Sequence, residues 1–142
     1  MRLTQIVIDT NVLIAGLRSR RGRANQLLQL VGTGLFDINL SVPLVMEYED
    51  VLYRQLPHLF VTRAVVDEVI SYHCMVARKH RIFFLWRPFL RDPGDDMLLE
   101  VAVKANCDFI VTYNKRDFRG SEQFCLQIVT PEEFLREIGA IS

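Results

Sequence analysis

The sequence predicts an α/β fold, a three-layer sandwich in which helices cover both faces of a parallel sheet. Short, continuously apolar segments alternate with amphipathic helical segments along the chain. Apolar strands without polar alternation are typical of parallel sheets that are covered on both faces, and their alternation with helices favours crossover connections. The predicted strands are residues 5–8, 36–40, 82–86, 109–112 and 126–129.

The helical segments lie between these strands. Ser41 followed by Pro43 is a usual helix start, and the segments that follow the other strands are amphipathic. The predicted helices are residues 11–17, 24–31, 43–56, 62–80, 95–106 and 131–138. A chain of 142 residues is long enough for one core, and we expect residues 1–142 to form a single domain.

The composition restricts the possible functions. Basic and acidic residues both number 17, so the overall charge gives no support to nucleic-acid binding and only a local cluster can. Cys74, Cys107 and Cys125 lack the spacing of a structural zinc site and indicate reduced thiols in a cytoplasmic protein. We expect neither a signal peptide nor a membrane span, because the apolar stretches are short or interrupted by charge.

Asp9 directly follows the first apolar strand, and a helical segment begins behind it. An ionised carboxylate close to a core costs free energy unless something stabilises it, and ligands bind at the carboxyl edge of open α/β sheets. Asp9 is therefore a candidate metal ligand. The alternative is a helix N-cap, for which Asp9, Thr10 and Asn11 are all suitable residue types.

Glu47 borders the apolar face of its predicted helix, three residues after Leu44 and four before Val51. An acid at the edge of a buried face is where a partly buried metal ligand would lie. A solvated helix charge is the alternative, which we prefer for Glu49 and Asp50.

A third acidic group, Asp92, Asp95 and Asp96, lies around the start of a predicted helix. Asp92 before a proline is typical of an N-cap, and acids in the first turn suit the helix dipole. Asp95 shares a helix face with Leu98 and Ala102, so we expect Asp95 to point toward the core and Asp96 to point away. Asp95 is the better candidate ligand of the two.

Asn114 and Asp117 follow another apolar strand, in the same kind of position as Asp9. An ordinary turn is the alternative for these residue types. Taken together, the acids suit a hard cation such as Mg²⁺ or Mn²⁺, which takes oxygen ligands and substrate phosphate. Such a site can hydrolyse phosphodiesters.

A basic segment follows the first predicted helix and contains Arg18, Arg20, Arg21 and Arg23. Of the 17 basic residues 14 are arginine, which pairs bidentately with phosphate. The segment is a candidate for contact with a nucleic-acid backbone. A solvated loop is equally compatible with it.

Four segments resemble the motifs of PIN domains, in the same order along the chain. They are residues 6–13 (IVIDTNVL), 47–52 (EYEDVL), 92–102 (DPGDDMLLEVA) and 107–118 (CDFIVTYNKRDF). The match covers essentially the whole chain, and it most resembles the toxin components of bacterial and archaeal toxin–antitoxin pairs.

The resemblance implies a five-stranded parallel sheet and a Mg²⁺- or Mn²⁺-dependent endoribonuclease acting on RNA, with an antitoxin protein as partner and often a homodimer. Asp9, Glu47 and Asp95 would hold the metal. Supporting roles fall to Asp96, Asn114 and Asp117, while Thr10, Asn11 and Thr112 would contact water or phosphate.

Two alternatives stay open. Asn114 stands where many PIN domains have aspartate, so a catalytically weak or inactive module that binds RNA or a protein is the second interpretation. A phosphotransfer domain fits less well, because Asp9-Thr10-Asn11 lacks the second acid of an Asp-x-Asp nucleophile motif.

Overall fold

The computed structural model describes residues 2–81, 90 and 92–142. Strands and helices follow one another through these ranges, as the apolar pattern predicts. The elements are β1 (Thr4–Ile8), α1 (Thr10–Arg18), α2 (Arg23–Leu30), β2 (Phe36–Leu40), α3 (Val42–Gln55), α4 (Arg63–Val76), β3 (Arg78–Lys79), α5 (Pro93–Lys104), β4 (Phe109–Val111), β5 (Gln127–Val129) and α6 (Pro131–Glu137). Short 3-10 helices occupy Leu56–His58, Lys115–Phe118 and Ser121–Phe124.

The five strands form one parallel sheet in the order β3-β2-β1-β4-β5. The chain builds outward from β1 to β3 on one side and then crosses to β4 and β5 on the other. The strand order therefore reverses between β1 and β4. In open α/β sheets a crevice forms outside the carboxyl ends of the strands at such a reversal, and here Asp9 and Thr112 follow those two strand ends.

The core lies on both faces of the central strands. Ile6, Val7 and Ile8 of β1 are almost completely buried. On one face Phe134 of α6 packs edge-on against Phe36 and Phe109, with ring centroids 5.1 and 5.5 Å apart. Burial of a large apolar side chain contributes about 1.5–3 kcal/mol, so this cluster fixes α6 across β2 and β4.

The predicted parallel sheet and its three-layer arrangement are confirmed, with one helix boundary wrong. The helix predicted at 62–80 ends at Val76, because Ala77 is extended and Arg78–Lys79 pairs with Asn39–Leu40 as β3. Pairing with β2 outweighs the helix propensity of these residues, which is a weak preference. The strand predicted at 82–86 lies outside the described residues.

Cys74, Cys107 and Cys125 are all free thiols. Across the ranges that the structure describes, we find no helix long and apolar enough to cross a membrane.

Candidate active site

Asp9 and Thr112 join the ends of the two central strands. The backbone N–H of Asp9 donates to the carbonyl of Val111 at 2.9 Å, and the Thr112 hydroxyl donates to Asp9 Oδ2 at 2.8 Å. Thr112 is fully buried and Asp9 is 8 % exposed. A carboxylate is thus held at the floor of the crevice where the strand order reverses.

The Asp9 side chain does not cap helix α1. Asp9 occupies the N-cap position, yet neither of its carboxylate oxygens makes a capping hydrogen bond. Burial raises the pKa of Asp9, the Thr112 hydroxyl and the amides of Thr10 and Asn11 oppose this, and the charge of Asp117 adds to the increase. The carboxylate is thus near the first amides of α1 but lacks the hydrogen-bond geometry of a cap.

The Thr112 hydroxyl is the centre of a small polar network. It accepts hydrogen bonds from the Asn114 backbone N–H at 3.0 Å and from Asn11 Nδ2 at 3.3 Å. Its own hydrogen is consequently directed at Asp9. Asn11 Oδ1 also accepts from the Tyr113 N–H at 3.3 Å, so Asn11 and Thr112 hold the loop after β4 in place.

Asp95 lies in the first turn of α5 and faces the same crevice. Partial burial raises its pKa to about 7, and the charges of Asp9, Asp92, Asp117 and Asp96 act in the same direction. Like charges that lie close together disfavour ionisation. Asp95 therefore lies in a negatively charged environment to which Asp9 and Asp117, from the ends of the two central strands, both contribute.

Asp96 does not point away from the core as expected, while Asp95 is half-buried. Asp96 is the buried member of the pair, and its Oδ1 accepts a hydrogen bond from the Leu90 N–H at 2.8 Å. Helix α5 is buried on both sides of its axis from Leu98 to Ala102, so its apolar residues do not define a single core-facing stripe. Asp92 is the N-cap, as predicted, and accepts from the Gly94 N–H at 2.7 Å.

Glu47 points toward the start of α5. A Cβ atom placed on Gly94 would lie 3.3 Å from Glu47 Oε1, so the carboxylate lies where a side chain at residue 94 would be. Glu47 is half-buried. It thus lies at the N-terminal end of α5, where a negative charge is favoured.

Tyr48 contacts the end of β1 next to Asp9, a contact that was not predicted from the sequence. Its buried hydroxyl donates to the carbonyl of Ile8, the residue before Asp9. Burial raises the pKa of Tyr48 well above its usual range, and the charge of Asp9 adds to this effect. The available signal was a tyrosine on a buried helix face, since a buried phenol needs a hydrogen-bond partner.

Asn114 and Asp117 border the crevice from the β4 side. Both are exposed, and the Asp117 N–H donates to the Asn114 carbonyl at 3.0 Å. The negative charge of Asp117 raises the pKa values of Asp9 and Asp95, whereas the Asn114 side chain adds no charge. Nearby, Lys115 is paired with Glu133 at 2.9 Å.

The four arginines of the arginine segment, residues 18–23, have different environments. Arg23 pairs with Glu132 of α6 at 3.5 Å, and the Arg20 guanidinium lies 4.6 Å from the centre of the Phe60 ring. Arg18 and Arg21 are exposed and make no ion pair with the described residues. Two of the four arginines are therefore available to a ligand.

The donor set suits a hard divalent cation, but the side chains do not form a closed coordination sphere. In the described part of the chain, no three His, Cys, Asp or Glu side chains are grouped so that they could hold a metal ion. The expectation that Asp9, Glu47 and Asp95 already converge on one point is therefore not met. Mutual repulsion opposes such convergence. All candidate donors are oxygens, as Mg²⁺ and Mn²⁺ prefer, so the chemistry of the set fits.

Comparison with known proteins agrees with this architecture. A family model described as PIN domain matches residues 5–116, which span the sheet from β1 to β4 and every candidate acid except Asp117. A comparison with curated proteins finds no match. PIN domains are generally nucleases and typically use divalent metals. From the fold, the crevice acids and the family match together, we conclude that this chain belongs to the PIN domain family.

Proposed function

We propose that the protein is a metal-dependent endoribonuclease that hydrolyses RNA phosphodiester bonds with Mg²⁺ or Mn²⁺. The observation that supports this most strongly is the environment of Asp95, whose pKa is raised to about 7 by burial and by four neighbouring carboxylates. A concentration of negative charge in a crevice is unfavourable for the protein alone. It becomes favourable when a cation neutralises it, as in sites built for metal-assisted catalysis.

In this proposal Asp9, Glu47 and Asp95 hold the ion. When bound, a divalent ion activates water and stabilises the attacking and leaving oxygens of a phosphodiester. Thr112 keeps Asp9 in one orientation through its 2.8 Å hydrogen bond. Asn114 and Asp117 line the β4 side of the crevice, Asp96 fixes the approach to α5 through Leu90, and Thr10 lies half-buried at the start of α1.

The decisive test is cleavage of mixed RNAs by the purified protein with Mg²⁺ or Mn²⁺, beside Asp9→Asn and Asp50→Asn. Asp50 is an exposed aspartate of α3 that pairs with Arg54 at 3.0 Å, so its substitution controls for loss of one charge. We expect wild type and Asp50→Asn to cleave RNA and Asp9→Asn to lose activity by at least a hundredfold, with chelator abolishing all cleavage. Equal cleavage by all three proteins would rule out this site.

The biological setting is a further part of the proposal. We propose a cytoplasmic toxin of a toxin–antitoxin pair, on the basis of the motif resemblance and three free thiols, with an antitoxin protein as partner and a possible homodimer. Growth arrest on expression, relieved by Asp9→Asn, is the expected result. Normal growth of cells that express an active nuclease would contradict the toxin role but not the nuclease activity.

Asn114 supports a second candidate, a catalytically weak or inactive module that binds RNA or a protein. Its exposed amide adds no negative charge to the crevice. If this candidate is correct, the protein binds RNA without cleaving it, and Asn114→Asp creates or strengthens metal-dependent cleavage. An unchanged rate in Asn114→Asp would show that Asn114 does not limit activity.

A further inference from the structure

One hydrogen bond joins the two stretches of backbone that carry Asp9 and Glu47. The Tyr48 hydroxyl, next to Glu47 on α3, donates to the carbonyl of Ile8, next to Asp9 at the end of β1. Tyr48 is 3 % exposed. The bond is therefore shielded from water, and its acceptor lies one residue from a candidate catalytic acid.

The Ile8 carbonyl needs this partner because the sheet opens beside it. The N–H of Asp9 bonds to β4, so in a trans peptide the Ile8 carbonyl points to the opposite side, toward β2. Pairing between β1 and β2 ends at Ile6 and Ile38, two residues earlier. A buried carbonyl without a partner is unfavourable, and the Tyr48 hydroxyl donates the hydrogen bond that β2 does not provide at this position.

We propose that Tyr48 is a positioning residue, which sets the separation of Glu47 and Asp9 by tying α3 to the end of β1. This inference rests on the proposed function, because the two acids are taken to share a divalent cation. Tyr48 itself touches neither the ion nor the substrate. Its hydroxyl is the donor in this hydrogen bond, because the carbonyl oxygen of Ile8 can only accept.

A purely structural hydrogen bond must be distinguished from a positioning one, and the chain offers a matched control. Tyr72 of α4 donates its hydroxyl to the carbonyl of Val31, at the end of α2, at 3.0 Å. Tyr72→Phe therefore removes the same atom and the same kind of bond. None of the candidate acids lies on α2 or α4.

The experiment measures Mn²⁺ affinity and RNA cleavage for wild type, Tyr48→Phe and Tyr72→Phe, at a temperature where circular dichroism shows all three folded. We expect Tyr48→Phe to weaken Mn²⁺ binding about tenfold, the scale seen when partners that orient metal ligands are removed. Its cleavage should recover at high Mn²⁺, and the KM for RNA at saturating Mn²⁺ should stay unchanged. Tyr72→Phe should lower the melting temperature but keep the Mn²⁺ affinity.

A second measurement does not depend on the folding of Tyr48→Phe. In wild type labelled with 3-fluorotyrosine, Mg²⁺ should shift the fluorine resonance of Tyr48 and leave that of Tyr72 unchanged. Equal Mn²⁺ affinities of wild type and Tyr48→Phe, or no Mg²⁺-dependent shift at Tyr48 in an active wild type, would overturn the positioning role alone. A wild type that neither binds Mn²⁺ nor cleaves RNA would overturn the proposed function and this inference with it.

Discussion

The Glu47 carboxylate of α3 occupies space that a side chain at Gly94 of α5 would need. A Cβ on Gly94 would lie 3.3 Å from Glu47 Oε1 and 3.2 Å from Asp92 Oδ1, which is closer than ordinary van der Waals contact. Glycine is the residue that lets a backbone be approached so closely. The first turn of α5 thus accommodates a carboxylate on each side, and the absence of a side chain at residue 94 sets where Glu47 rests.

We predict that Gly94→Ala impairs the site without destabilising the fold. Alanine at a helical position is favoured over glycine by about 0.5–1 kcal/mol, so the melting temperature should hold or rise. Glu47 must shift, however, and Mn²⁺ affinity should fall about tenfold, as it does when metal ligands are poorly oriented. Calorimetric Mn²⁺ titration beside thermal melts measures both quantities.

Gly22→Ala is the control for this prediction. A Cβ on Gly22 would meet only Ser19, at 3.7 Å or more, and Gly22 precedes α2 rather than α5. Its Mn²⁺ affinity should equal that of wild type. If Gly94→Ala also binds Mn²⁺ like wild type, then the Glu47 carboxylate does not contribute to the site in the position described.

We predict that Asp95→Asn stabilises the metal-free protein at pH 8. The folded-state pKa of Asp95 is raised from 3.8 to about 7, so the folded protein binds the proton more tightly than the unfolded chain. The stability contributed by protonated Asp95 is present at low pH and is lost as the pH rises from about 4 to 7. Because the carboxyl is half-exposed, we discount the shift to a gain of about 1 kcal/mol for Asp95→Asn.

Denaturant unfolding at several pH values, with chelator present, tests this prediction. The difference between Asp95→Asn and wild type should shrink toward zero near pH 4. Asp50→Asn, on the exposed side of α3, should show no gain at pH 8. An Asp95→Asn variant that is less stable than wild type at pH 8 would mean that the crevice charges do not repel as described.

We predict that His73 makes the fold sensitive to acid. His73 is buried, its Nδ1 donates to the Val69 carbonyl at 2.8 Å, and Nε2 has no partner among the described residues. Burial lowers the pKa of His73 below 6.5, with the Val69 hydrogen bond opposing the decrease. The stability contributed by neutral His73 is therefore fully present above pH 6.5. This contribution is lost as the pH falls through the lowered folded-state pKa of His73.

The comparison of wild type with His73→Leu and His58→Gln tests the role of His73. Leucine cannot be protonated, so the loss of stability between pH 7 and pH 5 should be smaller in His73→Leu. His58 is exposed, and its substitution should leave the acid sensitivity as in wild type. A His73→Leu protein with the wild-type pH profile would assign the acid sensitivity to other groups.

The sheet and the acids after β1 and β4 were predictable because both follow from neighbouring residues. An unbroken apolar run that ends in Asp9 specifies a buried strand and a polar edge with no knowledge of the rest of the chain. The nearness of Asp9 to Thr112 follows from the general rule that carboxyl ends of parallel strands share one edge. These predictions depended on local pattern and on topology alone.

The features that sequence reasoning missed depend on contacts between distant residues. β3 consists of two residues and exists because Asn39–Leu40 pairs with it. The burial of Asp96 depends on Leu90 and on packing over both sides of α5. The Ile8 carbonyl is available to the Tyr48 hydroxyl only because the pairing of β1 with β2 stops at Ile6. No periodicity within a single segment contains such information.

The arginine segment divides into two pairs with different expected effects. Arg18 and Arg21 are exposed without an ion pair in the described ranges, whereas Arg20 stacks on Phe60 and Arg23 pairs with Glu132. We predict that Arg18→Ala/Arg21→Ala weakens RNA binding on every sequence alike. The slope of log affinity against log salt should become shallower by about 0.7 for each phosphate that the variant no longer neutralises.

The matched variant is Arg20→Ala/Arg23→Ala, which removes the same charge from the same segment. It should lower the melting temperature, because it breaks the interactions with Phe60 and Glu132, and should keep most of the salt slope. The test is RNA affinity at four or more salt concentrations for wild type and both variants. Cleavage at saturating RNA should be similar in all three, since the acids are intact. If the salt slope is the same in all three proteins, the segment does not contact the RNA backbone. Arg18 and Arg21 are then available to an acidic protein partner.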